Sequence, residues 1–167
     1  RHYTFRPTDT IEYYMTQLIV LALAPVLAIA FYMYMRDKYE REPVLSLLKA
    51  FGMGLLITFP VIMVEKVLSP ISAGFALREK SFYESFVVAG LTEEFFKFAG
   101  LYLLIWRNRN FNEKFDGIVY AVYVSLGFAA IENILYVLTL GTETGYIRAI
   151  ISVPSHALFG VTMGYFL

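Results

Sequence analysis

The sequence predicts an all-α, polytopic integral membrane helix bundle, and three observations lead to that prediction. Hydrophobic residues make up 58% of the 167 residues and charged residues only 17%, whereas soluble domains average about 45–50% and about 25%. Mean hydropathy is +0.59. The apolar runs are continuous and contain Leu, Ala and Met, which favours helices over alternating strands. Zero net charge without a basic tract gives no indication of nucleic acid binding, and the lack of cysteine excludes disulfide and thiolate chemistry.

Five apolar segments are long enough to span a bilayer, which takes about 20 helical residues. In chain order they cover about 17–35, 44–64, 84–106, 115–140 and 146–167. We therefore expect a single transmembrane domain over the whole chain. Its leading helices are predicted at about 17–64 and its core at about 84–167.

The loops between these segments are short and polar. The first segment ends at the charged stretch "RDKYERE" and the third at "RNRN". The connector "EKVLSPISAGFALREKSFYE" over 65–84 is predicted to contain a short interfacial helix, and "GTETG" after the fourth segment is predicted to be a plain turn.

Several ionisable or amide side chains lie inside the last three segments, where they are costly and usually functional. These residues are Glu93, Glu94, Lys97, Glu132, Asn133 and His156. Counted from one side of the membrane at 1.5 Å per residue, Glu93, Glu132 and His156 lie roughly 13, 12 and 15 Å deep. This agreement predicts one site near mid-membrane, in a hydrophilic cavity that opens near "GTETG" and the connector.

Helical spacing groups the charged residues of the third segment. Lys97 is four residues from Glu93 and three from Glu94, so it can contact both, while the two glutamates diverge by about 100°. One glutamate can then point into a cavity while the other supports it, and a glutamate in such surroundings suits general acid–base chemistry near neutral pH. A simple ion pair within the helix remains the alternative.

The later segments supply complementary groups. Glu132, Asn133 and His156 add a carboxylate, an amide donor and an imidazole, enough to hold a water and stabilise an oxyanion. The alternatives are interhelical hydrogen bonding by the Glu-Asn pair and an interior histidine. Asp116, at the other end of the fourth segment, is interpreted as a helix N-terminal acid. Arg148 is expected to extend to the membrane interface, although it could reach a substrate carbonyl.

Three stretches resemble the ordered signatures of the PrsW family. They are "EEFFK" (93–97), "FDGIVYAVYVSLGFAAIEN" (115–133) and "PSHALFGVTMGYFL" (154–167). Members of this family are bacterial intramembrane proteases, distantly related to the CAAX prenyl endopeptidases and the bacteriocin-immunity proteins. The resemblance extends from about residue 84 to residue 167, and the ordered combination of motifs is specific.

The resemblance implies cleavage of a membrane-anchored protein in the bacterial plasma membrane, in the family's best-known role the first cut of an anti-sigma factor. It also implies further helices, with another histidine, beyond residue 167. The residues that match the family's functional positions are Glu93, Glu94, Lys97, Asp116, Glu132, Asn133 and His156.

The sequence leaves metal use open. A catalytic zinc usually has three protein ligands rich in histidine, and this chain has two histidines and no HExxH motif. If zinc is used, its ligands would be Glu93 or Glu94, together with Glu132 and His156.

We favour a metal-free mechanism. In it, Glu93 or Glu94 takes a proton from water, His156 and Asn133 stabilise the oxyanion, and Glu132 orients the histidine or the water. Two functions from other classes use the same buried carboxylates: a proton-coupled transporter and a non-proteolytic, immunity-type binding protein.

Overall fold

The computed structural model describes residues 7–37, 41–106, 111 and 113–167, with the side chains of 7–11 and 114 left aside. Every described regular element is helical, which confirms the all-α prediction. The "RNRN" stretch and the middle of "RDKYERE" lie outside the described residues. In chain order the elements are α1 (Pro7–Arg36), α2 (Val44–Leu68), a 3₁₀-helix (Ser69–Gly74), α3 (Leu77–Phe82), a π-helix (Tyr83–Leu91), α4 (Thr92–Ile105), α5 (Lys114–Leu140), α6 (Thr142–Ile147), a second π-helix (Arg148–Ser152) and α7 (Val153–Tyr165).

Within the described part of the chain, four helices are long and apolar enough to cross a membrane. They are Glu12–Arg36, Val44–Gly74, Phe115–Leu140 and Thr142–Tyr165. The predicted third segment is also helical, because α3, the first π-helix and α4 follow one another without a break. Its three central charged residues, Glu93, Glu94 and Lys97, make it less apolar than those four helices. This continuous stretch is called the 77–105 helix below, and α6 to α7 the 142–165 helix.

The predicted turn "GTETG" is wrong for most of its length. Only Gly141 leaves the helical conformation, with φ 82°, and α6 begins at Thr142. Glycine adopts a positive φ without a steric penalty, so one residue is enough to reverse the chain. The 142–165 helix therefore starts four residues earlier than the predicted fifth segment.

Helix α5 is the centre of the bundle. Its side chains from Val119 to Ala130 are almost all buried, and α1, α2 and α7 pack against it. Gly54 of α2 and Gly127 of α5 meet backbone to backbone, since a Cβ on Gly127 would overlap the Phe51 carbonyl oxygen. Small residues at helix crossings allow such approach in membrane proteins.

The two outer helices border a gap beside this core. The 77–105 helix packs on α2 and α5, whereas the 142–165 helix packs on α5 and α1. Large apolar side chains on both helices, among them Phe95, Leu103, Ile150 and Leu158, face outward and are exposed. That outer surface suits lipid, and the gap between the two helices holds the candidate site.

Candidate active site

Glu93 and Glu132, which are predicted to lie at the same membrane depth as His156, both lie next to its ring. The Nε2 atom of its ring lies 2.9 Å from Glu132 Oε2, and the Nδ1 atom lies 3.9 Å from Glu93 Oε2. Three different helices supply these side chains, namely α4, α5 and α7. The predicted mid-membrane residues therefore form one connected group.

On one side of the ring is a group that we call the lysine cluster: Lys97, Glu93 and Glu94. Lys97 Nζ donates to Glu93 Oε2 at 3.1 Å and to Glu94 Oε1 at 2.8 Å, and it lies 3.0 Å from His156 Nδ1. The lysine is 0% exposed, and its ammonium lies 4.3 Å from the centre of the Phe128 ring. The expected contacts at spacings of three and four residues are thus present.

On the other side is the arginine cluster: Arg148, Glu132 and Asn133. Arg148 Nε donates to Asn133 Oδ1 at 2.7 Å, and its Nη2 lies 2.8 Å from Glu132 Oε2. Asn133 Nδ2 in turn donates to the Ala22 carbonyl oxygen of α1 at 3.2 Å. This cluster therefore connects three helices, whereas the lysine cluster lies on one.

These contacts define the hydrogen positions on the His156 ring. A lysine ammonium can only donate, so Nδ1 next to Lys97 is the acceptor, and a neutral imidazole then carries its hydrogen on Nε2. That hydrogen is directed at the carboxylate of Glu132. The ring is thereby held from both sides in one tautomer.

A cavity of about 740 Å³ lies between the 77–105 and 142–165 helices, within the range of small-ligand sites. Both clusters contribute to its wall, with the Glu94 side chain 31% exposed and that of Glu93 13% exposed. Apolar and small polar side chains form the rest. The lining residues are Ser85, Phe86, Ala89, Gly90, Leu91, Glu93, Glu94, Glu132, Ile147, Arg148, Ile151, Ser152, Ser155, His156 and Phe159.

Two predicted roles need correction. Arg148 does not extend to the membrane interface: it is buried, its guanidinium bonds Asn133, and it lies 4.1 Å from the Tyr136 ring centre. Asn133 is 1% exposed and does not line the cavity. Its amide is bound to Arg148 and to the Ala22 carbonyl oxygen, so the side chain holds the arginine and is directed toward α1.

Asp116 lies at the opposite end of α5, as expected. Its Oδ2 accepts a hydrogen bond from the Glu113 backbone amide at 2.8 Å, in the first turn of the helix. At 1.5 Å per residue it is roughly 24 Å from Glu132 along the axis. The carboxylate therefore serves the helix start and is remote from the cavity.

One acidic residue near the site was not predicted. Glu65 lies in the last turns of α2, which extends beyond the predicted end of the second segment, and it lines a second cavity of about 490 Å³ with Glu84 and Tyr136. Its carboxylate interacts electrostatically with Glu93 and Glu132. The signal was present in the sequence, since residue 65 continues the helical spacing of the buried Thr58 and Val61.

The residues that could hold a metal differ from the predicted set. Among the described residues, Glu93, Glu94 and His156 offer ligand atoms within 4.8 Å of one another, while Glu132 binds the other ring nitrogen. Zinc requires about 2.0–2.2 Å to each oxygen or nitrogen ligand. Lys97 Nζ already lies within 3.1 Å of an atom of all three residues, so a metal does not fit the cluster as it is arranged.

A membrane helix bundle with buried carboxylates, two cations and a histidine around one cavity has the features of an intramembrane hydrolase. Comparison with known families agrees: a profile described as "PrsW family intramembrane metalloprotease" matches residues 42–167. The chain therefore belongs to the PrsW family of intramembrane proteases, which confirms the resemblance and the predicted membrane location.

Curated relatives carry the same family name. The chain is 42% identical to "Protease PrsW" of Geobacillus kaustophilus over 91% of its length and 66% of the relative's. It is 39% identical to "Protease PrsW" of Bacillus subtilis, over 92% and 68% respectively, and 39% identical to that of Clostridioides difficile, over 90% and 64%. The chain thus spans about two thirds of the length of the curated relatives it matches. No solved structure matches it.

Proposed function

We propose that this protein is an intramembrane endopeptidase that hydrolyses a membrane-anchored protein with water activated by a glutamate. The observation that carries the proposal is the cavity wall, to which Glu93, Glu94 and Arg148 all contribute within the helix bundle. The addition of water to a peptide carbonyl requires a base that takes a proton from the water and a positive group that stabilises the oxyanion. A carboxylate and a cation on one cavity can supply both. Family membership supports the same reaction class.

Glu94 is the proposed general base. Of the two glutamates it is the more exposed to the cavity, and Lys97 holds one of its carboxylate oxygens. It takes a proton from water as the oxygen attacks the scissile carbonyl, and it then delivers that proton to the leaving amine. Glu93, bonded to the same lysine and more deeply buried, positions Lys97 and His156.

Arg148 is the proposed oxyanion stabiliser, in the role that the sequence assigned to Asn133. Its side chain lines the cavity, and its Nη2 is a buried atom that lies 2.8 Å from Glu132 Oε2. A fixed positive charge at this position can stabilise a negative charge that develops in the cavity. His156 lines the same cavity and is oriented by Glu132 through Nε2.

The substrate proposed is a protein with a membrane-spanning segment, such as an anti-sigma factor in the bacterial plasma membrane. The cavity lies between two outer helices, and its rim includes Phe86, Leu91, Ile147, Ile151 and Phe159. All five side chains are exposed, so this rim matches an apolar helix arriving through lipid better than a soluble peptide. No step of the mechanism is assigned to a metal, because Lys97 holds the cation position.

Co-expression with a tagged single-span protein tests the proposal. The wild type is expected to produce a truncated fragment, and Glu94→Gln, which removes the base and preserves the shape, is expected to produce none. Lys49→Met, a change at an exposed lysine of α2, serves as the control and should cleave like the wild type. An intact co-purified partner would indicate a binding protein instead, and ion flux without cleavage would indicate a transporter.

A further inference from the structure

We propose that the ammonium group of Lys97 is a built-in cation that fills the Glu93–Glu94–His156 cluster and keeps divalent metals out of it. This cluster belongs to the proposed peptidase site, but its occupation by the ammonium does not depend on cleavage. Metal binding to it can be measured without any substrate.

The first support is the match between donors and acceptors. A protonated lysine has three N–H donors and no acceptor. Lys97 Nζ has three acceptors within 2.8–3.1 Å: Glu93 Oε2, Glu94 Oε1 and His156 Nδ1. Every donor of this fully buried group is therefore used, which compensates part of the cost of burying the charge.

The second support is that the same atoms would ligate a metal. Glu93 Oε2 and His156 Nδ1 are 3.9 Å apart, a separation that one zinc at about 2.1 Å from each could bridge. The Lys97 ammonium already contacts these two atoms and Glu94. A divalent ion there would lie within a few ångströms of a like charge in a medium of low dielectric, and the two would repel strongly.

The third support is that the surroundings of His156 are otherwise those of a metal ligand. Metal-binding histidines usually donate their second ring N–H to a carboxylate, and His156 Nε2 lies 2.9 Å from Glu132 Oε2. Removal of the Lys97 ammonium would then leave two carboxylates and an oriented imidazole facing one another. The cluster thus has the ligand types and the oriented histidine of a metal site, with a lysine ammonium at its centre.

The test is the zinc content of the purified protein after equilibration with buffered zinc. The wild type is expected to bind essentially none, and Lys97→Met, which keeps the apolar stem and removes the charge, is expected to bind about one zinc per chain. Zinc should also raise the thermal midpoint of Lys97→Met and leave that of the wild type unchanged. Lys97→Arg, which keeps a cation, should bind no zinc.

Two further variants identify the site. Lys97→Met combined with Glu94→Gln should lose the acquired zinc, and Lys49→Met, the surface control, should bind no more than the wild type. Stoichiometric zinc in the wild type would overturn the proposal, and so would a folded Lys97→Met protein without zinc. Since two partly buried carboxylates lose their partner, Lys97→Met should fold better when cells are grown with added zinc, and failure of zinc to rescue an unfolded variant would also count against the proposal.

Discussion

The two clusters beside His156 differ in how the chain builds them. In the lysine cluster, all three residues lie within five consecutive positions of α4, and its bonds follow from helical spacing. In the arginine cluster, Arg148 comes from the second π-helix, Glu132 and Asn133 from α5, and the anchoring Ala22 carbonyl from α1. One cluster is local, and the other exists only after the helices have packed.

The proposed base and the contacts that hold neighbouring helices together therefore lie in different clusters. The local cluster carries the proposed base, and any folding of α4 forms it. The non-local cluster holds Arg148, the proposed oxyanion stabiliser, and contacts the histidine through Glu132. It therefore depends on correct spacing between α5 and the 142–165 helix. Variants that damage one cluster and preserve the other should therefore have different signatures.

Substitution of His156, whose ring contacts a member of each cluster, should have the largest effect. His156→Ala removes the acceptor for Lys97 and the donor to Glu132 together, and we expect the rate of substrate cleavage to fall by at least about 10³-fold. Thr162→Ala, an exposed change on the same helix, should retain the wild-type rate. Activity of His156→Ala within about tenfold of wild type would show that the histidine only packs in the interior and does not link the two clusters into one active site.

Loss of Arg148 should affect the non-local cluster alone. Arg148→Ala is expected to lower the turnover rate by about 10²–10³-fold, and to destabilise the fold by about 3 kcal/mol because Glu132 remains buried without a full partner. Arg148→Lys keeps the charge but cannot bind Asn133 and Glu132 in the same way, so partial turnover is expected. If both variants changed only KM, Arg148 would bind substrate and would not stabilise the transition state.

A smaller effect on stability is expected when only the distance between α5 and α7 changes. A Cβ on Gly160 would lie 2.9 Å from Ser125 Oγ and 3.0 Å from the Ala121 carbonyl oxygen, so Gly160→Ala should push α7 away from α5 and destabilise the protein by about 1–3 kcal/mol. Thermal unfolding in detergent measures this loss. Gly52→Ala, where a Cβ would meet nothing within 4 Å, should instead be neutral or stabilising by about 0.5–1 kcal/mol.

Equal unfolding temperatures for these two glycine variants would contradict the close contact between α5 and α7. Intact cleavage by Gly160→Ala, despite lower stability, would show that the arginine cluster tolerates a shift of α7. The lysine cluster should be unaffected in either variant, because its bonds lie within α4 and reach α7 only through His156.

The local features of the site could be predicted from the sequence because helical geometry alone determines them. The spacing of Glu93 and Glu94 from Lys97 gave the ion pairs, and counting residues along helices of alternating direction gave the common depth of Glu93, Glu132 and His156. Neither argument needs knowledge of how the helices pack.

The features that could not be predicted depend on rotation and packing of helices. Arg148 lies near a helix start, where an arginine usually extends toward water, but here its helix presents it to Asn133 and Glu132. Asn133 is adjacent to Glu132 in sequence, yet its side chain points to α1 and away from the cavity. Glu65 is a different case: it lies just outside the predicted second segment, although the helical spacing of Thr58 and Val61 extends to it.

The most direct test of the central claim is the cleavage rate of the purified protein with a strong chelator present, measured for the wild type and for Glu94→Gln. Our account predicts that the wild type keeps its rate when metals are removed, whereas Glu94→Gln is slower by about 10²–10⁴-fold. A chelator-treated wild type without activity, or a Glu94→Gln variant as fast as the wild type, would contradict hydrolysis by glutamate-activated water in this cavity.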